Sequence, residues 1–308
     1  MSSKKKAIVT GGAGFIGSHV ADLLLQSNYD VIVIDNLKTG YIKNIPKGAT
    51  FIEADLAQRN CERLIKKDLK DADVVFHLAA LARVQPSITN PVAYDKINTQ
   101  GTLRMLKLAA DVNVRRFVFS SSSAIYGNVE EKDLPTNEEA EKNPLSPYGA
   151  QKLMGEVYCK MFSQVYGLET VCLRYFNVFG ERQSLDGAYK LVMGIFARQL
   201  LNGEPMTVTG DGEQRRDFVY VKDVAEANFL AATSRFVGNG EAINIGSGHN
   251  VSVKELAGMM GGPKIHIAAV KEPRETLADA TMAKHLLGWE AKTRLDQWIP
   301  GYKKQLNI

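Results

Sequence analysis

The sequence predicts a doubly wound parallel α/β fold with a smaller C-terminal α/β lobe, and three observations carry that expectation. Short β-branched runs alternate with longer amphipathic stretches up to residue 175. The first run opens straight into a glycine-rich turn, Thr10-Gly11-Gly12-Ala13-Gly14-Phe15-Ile16-Gly17. The second run ends in Asp35, an acidic residue about 20 positions beyond those glycines.

In chain order, strands are expected at Ala7–Thr10, Val31–Ile34, Thr50–Glu53, Val74–His77, Phe117–Ser120 and Thr170–Leu173. They read as near-continuous apolar runs, the pattern of parallel strands covered on both faces. Between them, helices are expected at 15–27, 57–69, 93–112 and 147–166, where apolar residues recur at spacings of three and four. Past residue 180 the order loosens: a helix near 188–202, a strand at Met206–Val208 and a helix near 222–234. This divides the chain into a dinucleotide-binding domain, 1–175, and a substrate lobe, 176–308, some of whose segments can return to the first domain.

Composition narrows the class. With 308 residues, 45% hydrophobic and 23% charged, the chain reads as a soluble globular protein. Lysine and arginine (38) exceed aspartate and glutamate (34) by only +4, too little to attract nucleic acid or membrane by net charge, so an anion site must be local. Cys61, Cys159 and Cys172 lie far apart, which supports neither a disulfide framework nor structural zinc and suits a reducing cytoplasm. No other His, Cys or carboxylate cluster has metal-ligand spacing. The apolar run after the basic start stops at Val9, too short for a signal core, and no stretch approaches the roughly 18 apolar residues of a transmembrane helix.

Within the glycine turn, Gly12, Gly14 and Gly17 satisfy G-x-G-x-x-G, while Gly11, Gly14 and Gly17 satisfy a looser spacing. Such glycines let the chain turn sharply, admit a pyrophosphate to the backbone and bring the following helix close to its strand. The helix start then offers N–H groups to phosphate. The motif alone also describes an ordinary loop, and Asp35 alone an ordinary turn residue before Asn36; together they point to a dinucleotide. A carboxylate that accepts from ribose hydroxyls repels a 2′-phosphate, which favours NAD over NADP. The residues expected around it are Gly11, Gly14, Phe15, Ile16, Gly17, Asp35, Asn36, then Asp55 and Leu56 after the third strand and Leu78, Ala79 and Ala80 after the fourth. His77 reads as a packed or backbone-bonded histidine.

The fifth strand runs into Ser120-Ser121-Ser122-Ser123-Ala124-Ile125-Tyr126-Gly127, and Pro147-Tyr148-Gly149-Ala150-Gln151-Lys152 follows at a helix start. Tyrosine and lysine four apart stand on one helix face. An ammonium favours a neighbouring phenolate, drawing the tyrosine pKa down from about 10 and making Tyr148 a candidate general acid/base. In isolation such a pair is usually a solvated helix face; beside a serine-rich strand end it is a candidate site.

Together TGGAGFIG, Asp35, HLAA, SSSSAIYG and YGAQK resemble the extended short-chain dehydrogenase/reductase family, in particular its nucleotide-sugar epimerase/dehydratase branch. Leu173-Arg174-Tyr175-Phe176-Asn177-Val178-Phe179-Gly180 and the segment Gly210 to Val221 carry the resemblance across nearly the whole chain. It implies a Rossmann fold, NAD as cofactor, and a catalytic set of Ser122, Tyr148 and Lys152, the last two also facing NAD. Ser121 and Ser123 leave the hydroxyl open. Dehydratases of the branch carry an acidic residue shortly after the hydroxyl; here Ser123 and Ala124 stand there, which leaves oxidation and re-reduction, the chemistry of the UDP-sugar 4-epimerases.

For the substrate, the resemblance assigns Asn177 and Arg216 to the diphosphate, and Leu191, Val192, Val208 and Gln214 to the nucleotide. Arg216 could instead pair with Asp217. Ala269 falls where a second phosphate-binding arginine is usual, so either Arg274 reaches in or that contact is missing. Thr276 falls at a gate beside the sugar C2 substituent, where a small residue leaves room for an N-acetyl group. The implied reaction is interconversion of UDP-N-acetylglucosamine and UDP-N-acetylgalactosamine, with UDP-glucose and UDP-galactose also accepted. The rivals are a UDP-glucuronate 4-epimerase, with Arg83 or Lys190 near C6, another NAD-dependent dehydrogenase or reductase, and an NAD-binding sensor. Met154, Val157, Tyr158, Met161, Phe162 and Val165 form a wide apolar helix face, and the family pairs such helices in a homodimer.

Overall fold

The computed structural model describes residues 4–184, 191–270 and 272–308. Its main sheet contains all six expected strands: β1 (Lys6–Thr10), β2 (Asp30–Asp35), β3 (Thr50–Glu53), β4 (Val74–His77), β5 (Arg116–Ser122) and β6 (Glu169–Tyr175). The later strands are β7 (Asn177–Phe179), β8 (Met206–Thr209), β9 (Arg215–Tyr220), β10 (Asn239–Ile245), β11 (Asn250–Ser252) and β12 (Lys264–Ile267). Seven strands pair in the order β10-β6-β5-β4-β1-β2-β3, all parallel. The sheet is doubly wound, and its order reverses between β1 and β4, where such a sheet opens a crevice beyond the carboxyl ends of its strands. β10 comes from beyond residue 176 and returns to this sheet.

The helices are α1 (Phe15–Gln26), α2 (Cys61–Leu69), α3 (Val84–Thr89), α4 (Pro91–Asp95), α5 (Thr102–Asp111) and α6 (Pro147–Tyr166). Then follow α7 (Val192–Leu201), α8 (Val221–Thr233), α9 (Val253–Met260), α10 (Thr281–Leu287) and α11 (Leu295–Leu306). The start of the helix expected at 188–202 falls on residues 188–190, outside the described residues. The helix expected over 93–112 is interrupted by a π-helical stretch, Lys96–Gly101. There the buried Asn98 side chain exchanges two hydrogen bonds with Leu81 and donates a third to Gln151, contacts that hold this stretch against α6 and the loop after β4. α6 is well bounded: Ser146 caps it by accepting from the Gly149 N–H, Pro147 occupies its first position, and left-handed Gly167 ends it.

The period-two alternation of a strand sends its apolar residues to two separate cores. Val9, Val33 and Val118 lie in the cluster with α1 and α8, whereas Ile8, Ile34, Phe117 and Phe119 lie in the cluster with α2, α5 and α6. The first cluster continues into the C-terminal part, through Phe196 of α7 and Leu256 of α9 to Trp289. That part is built on a three-stranded sheet, β11-β9-β7, and a parallel pair, β12-β8. The three cysteines are free thiols, all buried. No helix among the described residues is long and apolar enough to cross a membrane.

Candidate active site

A cleft of about 1230 Å³ opens at the strand-order reversal and continues to β7 and β9. Every residue expected around the cofactor lines it. Of the two glycine spacings, Gly11, Gly14 and Gly17 face the cleft, while Gly12 packs against Val33. Gly11 adopts φ +71°, and a Cβ there would stand 2.7 Å from the Ala79 nitrogen. A Cβ on Gly17 would stand 2.2 Å from the Gly11 carbonyl oxygen, so the turn closes onto α1 only without side chains. Asp35 ends β2 with each carboxylate oxygen taking one backbone N–H, from Ala13 at 3.0 Å and from Leu37 at 2.8 Å. Burial pushes its carboxyl up and these N–H bonds pull it back. A bare backbone turn at a helix start, with a buried carboxylate at its rim, fits the pyrophosphate and adenosine ribose of NAD.

His77 lies beneath the cleft, not in it. Its ring nitrogens meet Thr10 Oγ1 at 2.8 Å and Thr102 Oγ1 at 3.1 Å. Burial, then the Lys152 charge, hold its pKa down to about 3, so the ring is neutral. It is packed, as expected, but bonded by side chains instead of backbone.

At the junction of the two parts of the cleft the structure brings Ser122, Tyr148 and Lys152 together. Ser122 neighbours Tyr148 and favours its phenolate, while the Ser122 hydroxyl accepts the Ala124 N–H at 3.2 Å. Ser121, one residue earlier on β5, points instead at Glu156, and Ser123 begins a short 3-10 turn. Lys152 Nζ donates to the Ser120 carbonyl at 2.6 Å and sits 4.9 Å over the Phe119 ring and 5.9 Å over the Tyr148 ring. Burial brings the Lys152 pKa down to about 8, against Cys159, Glu156 and Cys172, which raise it.

The expectation that Lys152 makes Tyr148 acidic is corrected here. Burial pushes the Tyr148 phenol up; what pulls it down is the neighbouring Ser122 and the charge of Arg83. The Lys152 ammonium is turned toward the Ser120 carbonyl and stands 5.9 Å from the centre of the Tyr148 ring. Arg83 lines the cleft at the start of α3, and the Ser87 hydroxyl of that helix accepts the Tyr148 N–H at 3.2 Å.

At the far end, Asn177, Leu191, Arg216 and Thr276 line the cleft. Asn177 Nδ2 donates to the Asp217 carbonyl at 3.3 Å and to Thr276 Oγ1 at 3.4 Å. Four expected residues are not brought in. Val192 begins α7, behind Leu191. Val208 is fully buried in the core, because strand alternation turns it inward. Gln214 is held to Thr209 and Glu272. Arg274 does not reach in: its side chain is 62% exposed and paired with Asp211. Lys190 lies outside the described residues.

The pairing of Arg216 with Asp217 does not form. Asp217 accepts from the Ser247 N–H and hydroxyl and from the Gly248 and Ala278 N–H groups. Arg216 instead pairs with Glu272 at 2.5 Å. Glu272, with Tyr41 and Asn44 at the adenosine end, lines the cleft without having been singled out in the sequence. The signal for the latter two was their place just after a strand end; Glu272 sits in no motif. No group of side chains arranged to hold a metal ion occurs among the described residues.

A side-chain-free turn for a dinucleotide, opening beside a buried serine, tyrosine and lysine, defines an NAD-dependent enzyme of the short-chain dehydrogenase/reductase class. Residues 7–246 match the model of the NAD dependent epimerase/dehydratase family, and the chain belongs to that family. UDP-glucose 4-epimerase of Mycolicibacterium smegmatis is 34% identical over 307 residues, 96% of each chain. The structure of Thermotoga maritima UDP-glucose 4-epimerase with UDP-glucose is 38% identical, with a TM-score of 0.90 over 98% of this chain and 99% of that one. That of UDP-N-acetylglucosamine 4-epimerase from Methanobrevibacter ruminantium M1, in complex with UDP-N-acetylmuramic acid, is 36% identical, with a TM-score of 0.85 over 99% and 96%.

Proposed function

We propose that the enzyme is a UDP-sugar 4-epimerase that interconverts UDP-N-acetylglucosamine and UDP-N-acetylgalactosamine and also accepts UDP-glucose and UDP-galactose. The observation that carries the 4-epimerase reading is that Ser122, Tyr148 and Lys152 line the cleft together at the point where cofactor cradle and substrate end meet. Thr276, a small side chain on the cleft wall, supports the acetylated sugar.

In this reading Tyr148, as phenolate, takes the proton of the sugar 4-hydroxyl, directly or through Ser122. NAD, which Gly11, Gly14, Gly17 and Asp35 would hold, would supply the hydride chemistry at C4. Lys152 fixes the strand end on which Ser122 sits and holds positive charge beneath the Tyr148 ring. Asn177 and Arg216 grip the diphosphate while the 4-keto hexose turns over, and Tyr148 then returns the proton. Arg216 exchanges Glu272 for phosphate oxygens, which its planar fork suits. Redox balance closes within one turnover, so no cofactor is consumed.

The test is product chromatography from a panel of UDP-hexoses with no added NAD. Interconversion of the two acetylated sugars is expected; an NADH absorbance that grows with product would identify a dehydrogenase. Thr276→Tyr fills the wall, so it should abolish turnover of the acetylated pair and spare UDP-glucose. Arg83, a cation in the cleft acting on Tyr148, favours UDP-glucuronate as a second reading. Faster turnover of that sugar in the same panel would decide for it. Met154, Val157 and Val165 are exposed on α6, which supports a homodimer through that face. The buried free thiols suit a cytoplasmic location.

A further inference from the structure

We propose that Glu156 is a positioning residue for the reaction: one turn beyond Lys152 on α6, its carboxylate ties the serine-bearing end of β5 and the neighbouring strand β6 to the catalytic face of the helix. The inference rests on the roles given above to Ser122, Tyr148 and Lys152.

Residues four apart on an α-helix are about 6 Å apart along the axis and nearly in line. Tyr148, Lys152 and Glu156 therefore form one file facing the sheet. Each engages a different residue at the end of β5. Tyr148 shares the cleft wall with Ser122, Glu156 Oε1 accepts from the Ser121 hydroxyl, and Lys152 donates to the Ser120 carbonyl. Strand alternation explains why Ser121 is the serine Glu156 meets: it continues the face of Phe117 and Phe119, which packs in the cluster with α6.

Glu156 is itself gripped from β6. Arg174 stands opposite Ser121 in the sheet register, and its Nε and Nη2 reach Glu156 Oε1 and Oε2 at 3.0 and 2.8 Å. Arg174 Nη1 donates in turn to the Tyr126 hydroxyl at 2.8 Å and the Glu138 carbonyl at 3.0 Å, fixing the segment that leaves β5. The ion pair is buried, with side chains 5% and 8% exposed. Such a pair often stabilises no more than a packed apolar pair would, so stability alone is a weak reason to hold one beneath a reaction centre. Holding three neighbouring serines in register with a helix is a specific one.

Charge adds to geometry. Lys152 is faced by Glu156 and Cys159 from its own helix, Cys172 from β6, neutral His77 from β4, and the Tyr148 ring. Glu156 is the carboxylate among the groups that raise Lys152 against its burial. Its removal leaves burial less opposed in lowering the Lys152 pKa.

The test uses purified protein with its own NAD and three variants: Ser121→Ala, Glu156→Gln, and the double variant Glu156→Met/Arg174→Met. Glu156→Gln should lower kcat by roughly 10- to 100-fold, the cost of misplacing a reacting group by a fraction of an ångström to an ångström. KM for the UDP-sugar should stay within about twofold, because the diphosphate grip is remote. The basic limb of the kcat–pH profile should move to lower pH. Ser121→Ala should lower kcat several-fold and leave that limb in place, because the carboxylate remains. The double variant removes both charges together and should fold, yet remain slow. If Glu156→Gln fails to fold, the double variant decides. Wild-type kcat in Glu156→Gln, or full recovery in the double variant, would overturn the proposal by reducing Glu156 to a counter-ion for Arg174. A wild-type enzyme that epimerises no UDP-sugar would instead overturn the proposed function.

Discussion

In the proposed reaction Tyr148 both loses and regains a proton in each turnover, yet burial pushes its phenol away from ionisation. The charges that meet it during the reaction therefore matter more than any in the resting site. Replacing it with phenylalanine keeps the ring and removes the acid. For Tyr148→Phe, kcat should fall by roughly 10² to 10⁴, the usual worth of a general acid/base, with bound NAD unchanged by absorbance of the denatured supernatant. His77 gives a prediction of a different kind. Its pKa drops from 6.5 to about 3 on folding, so within that window the unfolded chain takes up a proton the folded chain refuses. The folded state is unpenalised above pH 6.5 and loses stability as pH falls toward 3, by at most about 1.4 kcal/mol per unit from this residue. Urea midpoints across the window should fall more steeply for the wild type than for His77→Asn.

Helix α6 carries the file of Tyr148, Lys152 and Glu156, and it lies so close to β5 that a Cβ on Gly155 would stand 2.3 Å from Phe119 Cζ. Gly155→Ala forces helix and strand apart. A loss of about 1–3 kcal/mol in thermal unfolding, together with a fall in kcat, is expected, because the reacting side chains ride on the displaced helix. Elements of this kind are largely legible in sequence. The strands Thr50–Glu53 and Val74–His77 have the limits that their β-branched runs imply, and the start of α6 follows from Ser146-Pro147. These are local signals. The π-helical stretch at Lys96–Gly101 was not legible, since its side-chain bonds come from Leu81 and Gln151. Nor was the partner of Arg216, because Glu272 lies 56 residues away on a segment without a motif. The resemblance that would place Val208 near a nucleotide does not say which face of a two-residue period turns inward, and Val208 is fully buried. The glycine turn, Asp35 and the spacing of Tyr148 to Lys152 were readable because backbone geometry and helix pitch dictate them.

At the scale of the whole molecule, α6 offers solvent a line of apolar side chains, with Val157 at 53% and Val165 at 68% exposure. If two copies bury this face against each other, a single charge there should part them. Val157→Glu is expected to convert a dimer to a monomer by light scattering while Ser122, Tyr148 and Lys152 stay in place. The seven-stranded sheet has one more consequence, for how the protein is made. Its outer strand, β10, is delivered only at residues 239–245, after the chain has left to form β7, β8 and β9, and α8, which packs on α1, arrives just before it. During translation the nucleotide-binding half therefore waits on the ribosome with β6 exposed along one edge, an invitation to pair with another nascent chain. Termination between β6 and β10 is therefore expected to leave a fragment with an open sheet edge instead of a smaller working enzyme.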